Sequence, residues 1–404
     1  MSKERSPFSP GRLVPVEYFT GRLDEINRLE KALKQASSGG NQNIFLTGER
    51  GIGKSSLASF IRYLALREEY GYISAHCFLG AARSLEEICR LIFQELIRQL
   101  PDTDKGLVEK VKNVLSQYIK SLKFGAFGVG IDVEFNRDTE TLQDLRLNFL
   151  PILQKIFGEI GDSKRAILII IDDLNGITRN QDFALFLKSL VDALGAQQHR
   201  FPLVLMLVGT DERIQDLSLN QPSLSRIFDP VELSLMSDDE SSEFFIRAFE
   251  SVGCTVERDA LSILANFSGG LPMLSHEVGD ATFWYDEDSK IDQDDAFGGV
   301  VDAADNVGRK SLSASVYQAI RSSAYLSILR RIGDMSYTEM EFTRVGMFGE
   351  VSDAERRKFD NFVRKMRELG VITSTEQRGV YRFSNQLYRI YIGMRVKVSQ
   401  SRQA

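Results

Sequence analysis

Among its 404 residues the chain holds only three cysteines, three histidines, nine prolines and one tryptophan. Cys77, Cys89 and Cys254 form no CxxC pair and no metal-ligand spacing. That excludes a disulfide scaffold and a zinc module, and leaves buried or partly buried free thiols in a reducing compartment. No N-terminal apolar segment suggests a signal peptide, and the apolar run Ala166–Ile171 is too short to cross a bilayer, which takes about 20 residues. A cytoplasmic protein with no membrane partner is the expectation. No internal repeat is present, so a fused TPR, WD40 or leucine-rich array is excluded. A net charge of -6 excludes a chain that is polybasic throughout.

The charge that is there is unevenly placed. Residues 311–404 carry 16 Lys and Arg against 9 Asp and Glu, and the preceding residues carry 34 against 47. A basic C-terminal block on an acidic body raises the question of nucleic acid there. The length suits two or three domains, and 43% hydrophobic with 26% charged residues is ordinary for a globular chain.

One stretch organises the rest. Gly48-Glu49-Arg50-Gly51-Ile52-Gly53-Lys54-Ser55 reads GxxxxGK[ST]. An apolar strand, Asn43–Thr47, precedes it, and a helical pattern starting at Ser56 follows. That is the strand–loop–helix setting of a phosphate-binding loop. Glycines let successive N–H groups turn toward phosphate oxygens, and the helix dipole adds positive potential. Lys54 would reach the β- and γ-phosphates, and Ser55 would ligate Mg²⁺. The alternative is a glycine-rich turn that matches by chance.

The second half of such a site is Arg165-Ala166-Ile167-Leu168-Ile169-Ile170-Ile171-Asp172-Asp173. A continuous β-branched run is the signature of a central parallel strand, and its two carboxylates fall at the C-terminal edge, where open α/β sheets bind ligands. Asp172 would hold Mg²⁺, and Asp173 would orient or deprotonate the attacking water. Leu203–Asp211 reads as the next central strand, ending in polar residues, Thr210 among them, placed to sense the γ-phosphate. Arg226 stands just before the last core strand, Pro230–Leu233. It is either a finger reaching into a neighbouring subunit's site or a surface ion-pair residue.

Around this core the pattern predicts further elements. Gly21-Arg22 opens a helix upstream of the loop: either a turn closing over the base or a plain helix start. Lys123–Phe135 alternates and is glycine-rich, a hairpin that either touches a partner or edges a sheet. Asp238–Val252 and Glu257–Asn266 read as lid helices. Gly270-Leu271-Pro272 then begins another, with Pro272 either packing on adenine or marking a first turn. His276 is either a packed lid residue or a nucleotide contact. Residues 286–306 are acidic, a solvated linker plus one helix. Helices are expected over Val316–Ile332, Thr338–Val345 and Asp353–Leu369, the last capped by Ser352, then a hairpin and a final helix. That order is a winged helix. Its basic residues Arg356, Arg357, Lys358, Arg364, Lys365 and Arg367, with Arg378 and Arg382 on the wing, either neutralise DNA phosphates or merely solvate a packing module.

Together these motifs resemble the STAND and origin-initiator-like branch of P-loop ATPases, related to AAA+ proteins. The resemblance spans residues 18–395 and rests on Phe19-Thr20-Gly21-Arg22 with Glu25, on Gly48–Ser55, on Asp172-Asp173 and on Gly270-Leu271-Pro272. It implies that the Gly-Arg turn and the Gly-x-Pro turn line an adenine pocket, with Ser56 completing the loop, and that ATP is preferred; no NKxD-like guanine reader is present. Two departures stand out. Leu23 replaces the usual acid after Gly-Arg, and no fused effector or sensor domain is present.

The expected fold is thus α/β: a P-loop NTPase three-layer αβα core over 1–235, with a hairpin insertion near 122–135. A helical lid over 236–285, an acidic linker and helix over 286–310, and a winged-helix domain over 311–404 would follow. The expected function is an ATP-binding and slowly hydrolysing switch that needs Mg²⁺. It would form homo-oligomers or engage a partner or double-stranded DNA through the winged helix. Two alternatives stand beside it: a DNA-binding module of an initiator, transposition or defence system that uses ATP as an assembly ligand, and a regulatory ATPase subunit of a separately encoded effector nuclease.

Overall fold

The structure, a computed structural model, describes residues 3–16, 19–80, 82–100, 105–118, 123–126, 131–134, 139–161, 164–174, 176–198, 200–310, 323–336, 339–349 and 352–401. The chain divides into two units. One is Pro15–Ser234; the other joins Met1–Val14 to Leu235–Ala404.

The first unit is built on its apolar runs. In chain order it contains α1 (Leu23–Ser37), β1 (Asn41–Gly48), α2 (Lys54–Leu66), β2 (Tyr72–Phe78), α3 (Leu85–Arg98), α4 (Lys105–Tyr118), β3 (Lys123–Ala126) and β4 (Ile131–Glu134). These are followed by α5 (Thr139–Ile160), β5 (Ala166–Asp172), α6 (Gln181–Gly195), β6 (Leu203–Val208), α7 (Asp211–Asn220), α8 (Leu224–Ile227) and β7 (Asp229–Leu233). Five strands form one sheet in the order β2-β5-β6-β1-β7, and every pairing is parallel. All seven residues of β5 and all six of β6 are buried. Each fully buried Leu or Ile there contributes about 1.5–3 kcal/mol, which is why these runs take the central positions. β3 and β4 pair antiparallel as a separate ribbon. The strand order places the C-terminal ends of β1, β5 and β6 side by side, and these are the ends that carry the loop and the carboxylates.

The second unit continues with α9 (Asp238–Glu250), β8 (Thr255–Val256), α10 (Arg258–Ser268), α11 (Pro272–Tyr285), β9 (Lys290–Ile291) and α12 (Gln293–Gly308). Ser237 caps α9 with Glu240 in a capping box, and Asp292 caps α12 with Asp295 in the same way. Gly270 sits at φ 69°, where a Cβ would lie 2.3 Å from the Met236 carbonyl oxygen. Only glycine allows the Met236 N–H to donate to the Gly270 carbonyl at 2.8 Å. The acidic stretch is not bare spacer. α12 buries Ala296, Val300, Ala303, Ala304 and Val307 and leaves Asp294 and Asp302 exposed.

The unit ends with α13 (Ser323–Asp334), β10 (Glu341–Thr343), α14 (Arg344–Phe348), α15 (Asp353–Glu368), β11 (Ile372–Ser374), β12 (Val380–Phe383) and α16 (Gln386–Ser401). Of the helix expected over Val316–Ile332, residues 316–322 lie outside those described. The helix expected over Thr338–Val345 is corrected: Glu341–Thr343 is a strand, antiparallel to β12, in a sheet ordered β10-β12-β11. Phe342 is 4% exposed and touches Phe359, Tyr381 and Phe383, so burial on a pleated face outweighs local helix preference. α16 serves two clusters. Leu387 and Ile390 belong with α9–α12, and Tyr391 and Ile392 with α13, α15 and the small sheet.

His276 on α11 is buried between Phe8 and Phe244 and accepts the Ser9 N–H at Nδ1, 3.2 Å away. Burial pushes its pKa down to about 4. The folded state therefore holds His276 neutral, while the unfolded chain protonates it below about 6.5. Stability is full above that value and falls as the pH drops toward 4, by on the order of 2–3 kcal/mol from this group. Urea midpoints of wild type and His276→Gln at pH 7 and pH 4.5 check this: the difference in stability between the two proteins should shrink at the lower pH.

Candidate nucleotide site

The loop after β1 takes its shape from its glycines. Gly48, Gly51 and Gly53 all have positive φ. At Gly48 a Cβ would come within 2.6 Å of the Leu233 carbonyl oxygen, so the turn closes against β7 only because the side chain is absent. Lys54 and Ser55 then form the first turn of α2. The Lys54 ammonium is half-buried and donates to the carbonyls of Gly48 at 2.9 Å and Glu49 at 2.7 Å. Burial lowers its pKa, and the carboxylates of Asp172, Asp211, Glu49 and Asp173 oppose that shift. Glu49 and Arg50 are exposed, Ile52 is buried, and Gly51, Gly53, Ser55 and Ser56 are half-buried.

Asp172 is 2% exposed at the end of β5. A buried carboxylate needs donors on its lone pairs, and three are supplied. Ser55 Oγ donates to Oδ1 at 3.1 Å, the Asp173 N–H donates to Oδ1 at 2.7 Å, and His76 Nε2 lies 3.1 Å from Oδ2. Since a carboxylate only accepts, this contact places the imidazole proton on Nε2. His76 comes from β2 and stacks on Phe78 at 4.3 Å. A hydroxyl and a carboxylate 3.1 Å apart are hard oxygen donors of the kind that suit Mg²⁺. Among the described residues, no group of three or more His, Cys, Asp or Glu side chains forms an all-protein metal cage.

Backbone strain marks the same edge. Among the described residues only Arg22, Asp173 and Ser289 have positive φ without being glycine, and two of these are candidate site residues. Such geometry costs on the order of 1–3 kcal/mol and concentrates at functional positions. Asp173 follows β5 with its side chain exposed. Arg22, 6% exposed, donates from Nη2 to the Ile52 carbonyl at 3.4 Å and pairs with Glu25 at 3.6 Å. The Gly21-Arg22 turn therefore braces the loop directly.

The remaining candidates are dispersed. Thr210 is the N-cap of α7, and its neighbour Gly209 donates to the Leu46 carbonyl of β1 at 3.1 Å. Arg226 is exposed on α8. Pro272 opens α11, in the other unit. Arg356, Arg357 and Arg364 are exposed on α15, and Arg378 is exposed between β11 and β12. Arg364 donates to Asn361 at 3.0 Å and Arg382 pairs with Glu341 at 3.3 Å. One residue escaped the sequence reading: His76 is visible there only as a histidine inside an apolar strand, whereas Asp211, whose charge acts on Lys54, stands at the polar end of Leu203–Asp211.

Known proteins bear on this geometry. Residues 18–206, just under half of the chain, match the family model of the AAA ATPase domain. An uncharacterized HTH-type transcriptional regulator of Methanocaldococcus jannaschii is 19% identical over 259 residues, covering 62% of this chain and 59% of that protein. The chain thus spans less than two thirds of that relative's length. Among solved structures, the Aeropyrum pernix ORC2 protein in its ADPNP–ADP complexes is 15% identical, covers 98% of this chain and 99% of its own, and has a TM-score of 0.53. The Walker-type ATPase of Pyrococcus abyssi is 16% identical over 93% of this chain and 96% of its own, at a TM-score of 0.47. At such identities the structural likeness speaks for fold alone. No helix among the described residues is long and apolar enough to cross a membrane. Residues 18–206 are accordingly similar to the AAA ATPase domain, and the fold that carries them is α/β with a five-stranded parallel sheet.

Proposed function

We propose that the protein is an ATP-dependent switch of the STAND or origin-initiator kind. The observation that carries this reading is the Ser55–Asp172–His76 chain set against the Lys54 loop at one sheet edge. In this reading Lys54 exchanges its loop carbonyls for β- and γ-phosphate oxygens, which are charged and therefore stronger acceptors. The N–H groups of Gly51 to Ser55 and the start of α2 hold the phosphates. Ser55 and Asp172 fit Mg²⁺, which when bound would neutralise charge on the leaving phosphates. Asp173 positions and deprotonates water, and Thr210 senses the γ-phosphate. Arg22 keeps the loop in place. Arg226, exposed, is free to act in trans in a homo-oligomer, with hydrolysis resetting the assembly slowly. That the ORC2 protein was solved with ADPNP and ADP supports adenine nucleotides as ligands.

A second reading rests on a separate observation. The run α13, β10, α14, α15, β11, β12 with an antiparallel three-stranded sheet supports a winged-helix reading, with exposed Arg356, Arg357, Arg364 and Arg378 on α15 and the hairpin. Double-stranded DNA would then be the partner, with ATP as assembly ligand, and the description of the M. jannaschii relative as an HTH-type regulator favours this. A separately encoded effector protein is the remaining candidate partner.

Steady-state ATP turnover tests the first reading. Asp173→Asn should lower it by about 100-fold or more while nucleotide binding persists, and Lys54→Ala should lose both. Unchanged turnover in both variants would reject it. DNA binding as a function of salt tests the second. The triple change Arg356→Ala, Arg357→Ala and Arg378→Ala should weaken binding, with the log–log salt slope reduced by about 1 for each lost phosphate contact. Salt-insensitive binding, or none with or without ATP, would rule the DNA reading out.

A further inference from the structure

Lys3–Arg12 sits on the helical unit as a bound peptide would. The segment has no helix or strand of its own before the turn that starts at Pro10. Its anchor is Phe8, 5% exposed, with its ring 5.8 Å from Phe244, 6.1 Å from Phe245 and 5.0 Å from Phe249 on α9. The seat is shaped for that ring. On α11, a Cβ at Gly279 would lie 2.3 Å from a ring carbon of Phe8. Next to the anchor, the Ser9 N–H donates to His276 Nδ1 at 3.2 Å. Upstream, the Lys3 ammonium donates to the carbonyls of Phe283 and Asp286, pairs with the Asp286 carboxylate and lies 4.9 Å over the Phe283 ring. Asp286 is itself 3% exposed and also accepts from the N–H groups of Asp288 and Ser289. Between the anchors, Glu4 and Arg5 face solvent. One aromatic plug beside buried Pro7, one main-chain contact and one charge contact together make a layout of peptide recognition.

We propose that the α9–α11 surface is a peptide-recognition socket for a Lys-x-x-x-x-Phe-Ser segment, filled here in cis by Lys3–Ser9 and able to release it.

Trp284, the chain's one tryptophan, is the reporter, since its ring lies 5.1 Å from that of Phe283. The full-length Lys3→Ala/Phe8→Ala variant is titrated with a synthetic peptide of residues 1–12, following Trp284 emission and the thermal midpoint. The peptide should shift the emission saturably and raise the variant's midpoint. Wild type, whose socket is filled in cis, should show no shift. A peptide carrying Phe8→Ala should be inert, and Gly279→Leu added to the variant should abolish the response. No response of the variant, an equal response of wild type, or an equal response to the Phe8→Ala peptide would overturn the proposal. So would a helical unit that unfolds without its anchors and is not restored by the peptide, because the segment would then be ordinary core.

Discussion

A carboxylate that is 2% exposed at the end of the central strand has to be satisfied where it stands. Asp172 is the constraint from which the candidate nucleotide site follows. An ionised carboxylate buried without partners would cost several kcal/mol, so its neighbours are held in place by its need for donors. Ser55 is drawn to it from the start of α2, His76 from β2, and the Asp173 backbone from the chain's own next step. Those three bonds join the phosphate-loop helix, the neighbouring strand and the strained residue after β5 to one point. The parallel order β2-β5-β6-β1-β7 makes this possible, because it sets β2 beside β5 and carries β1 to the same edge. Lys54, half-buried at the same edge, has its pKa lowered by burial, a shift that four surrounding carboxylates oppose.

A second constraint governs the other unit. α16 gives Leu387 and Ile390 to the helical cluster and Tyr391 and Ile392 to the cluster around the small sheet. Separating the two halves would expose those four side chains at a cost on the order of 10 kcal/mol, comparable with the whole stability of a domain. Within this unit, α16 therefore ties the packing of α9–α12 to that of α13, α15 and the small sheet. The acidic α12 serves as packing with a solvated face.

Much of this was legible in the sequence, for reasons that differ by element. The loop at Gly48–Ser55 and the run ending in Asp172-Asp173 are local patterns, in which spacing alone dictates backbone shape and strand burial. The Gly21-Arg22 turn was legible as a turn, but its bond to Ile52 depends on a fold that brings residues 30 positions apart together. β10 was misread because three residues paired with a strand almost 40 positions later leave little periodic signal; the burial of Phe342 decides it. His76 and Phe8 escaped for the same reason. Each is an unremarkable residue in its own segment, and its partners lie 96 and more than 230 positions away.

The central claim is that Asp172, fixed by His76 and Ser55, organises a Mg²⁺–nucleotide site. The most direct measurement is a Mg²⁺ titration of full-length wild type and His76→Ala in saturating non-hydrolysable ATP, read as the metal-dependent rise in thermal midpoint. The account predicts a saturable rise in wild type and a half-saturation point shifted upward by about tenfold or more in His76→Ala, with metal-free nucleotide binding retained. Identical Mg²⁺ curves for the two proteins, or no metal-dependent rise in wild type, would contradict it.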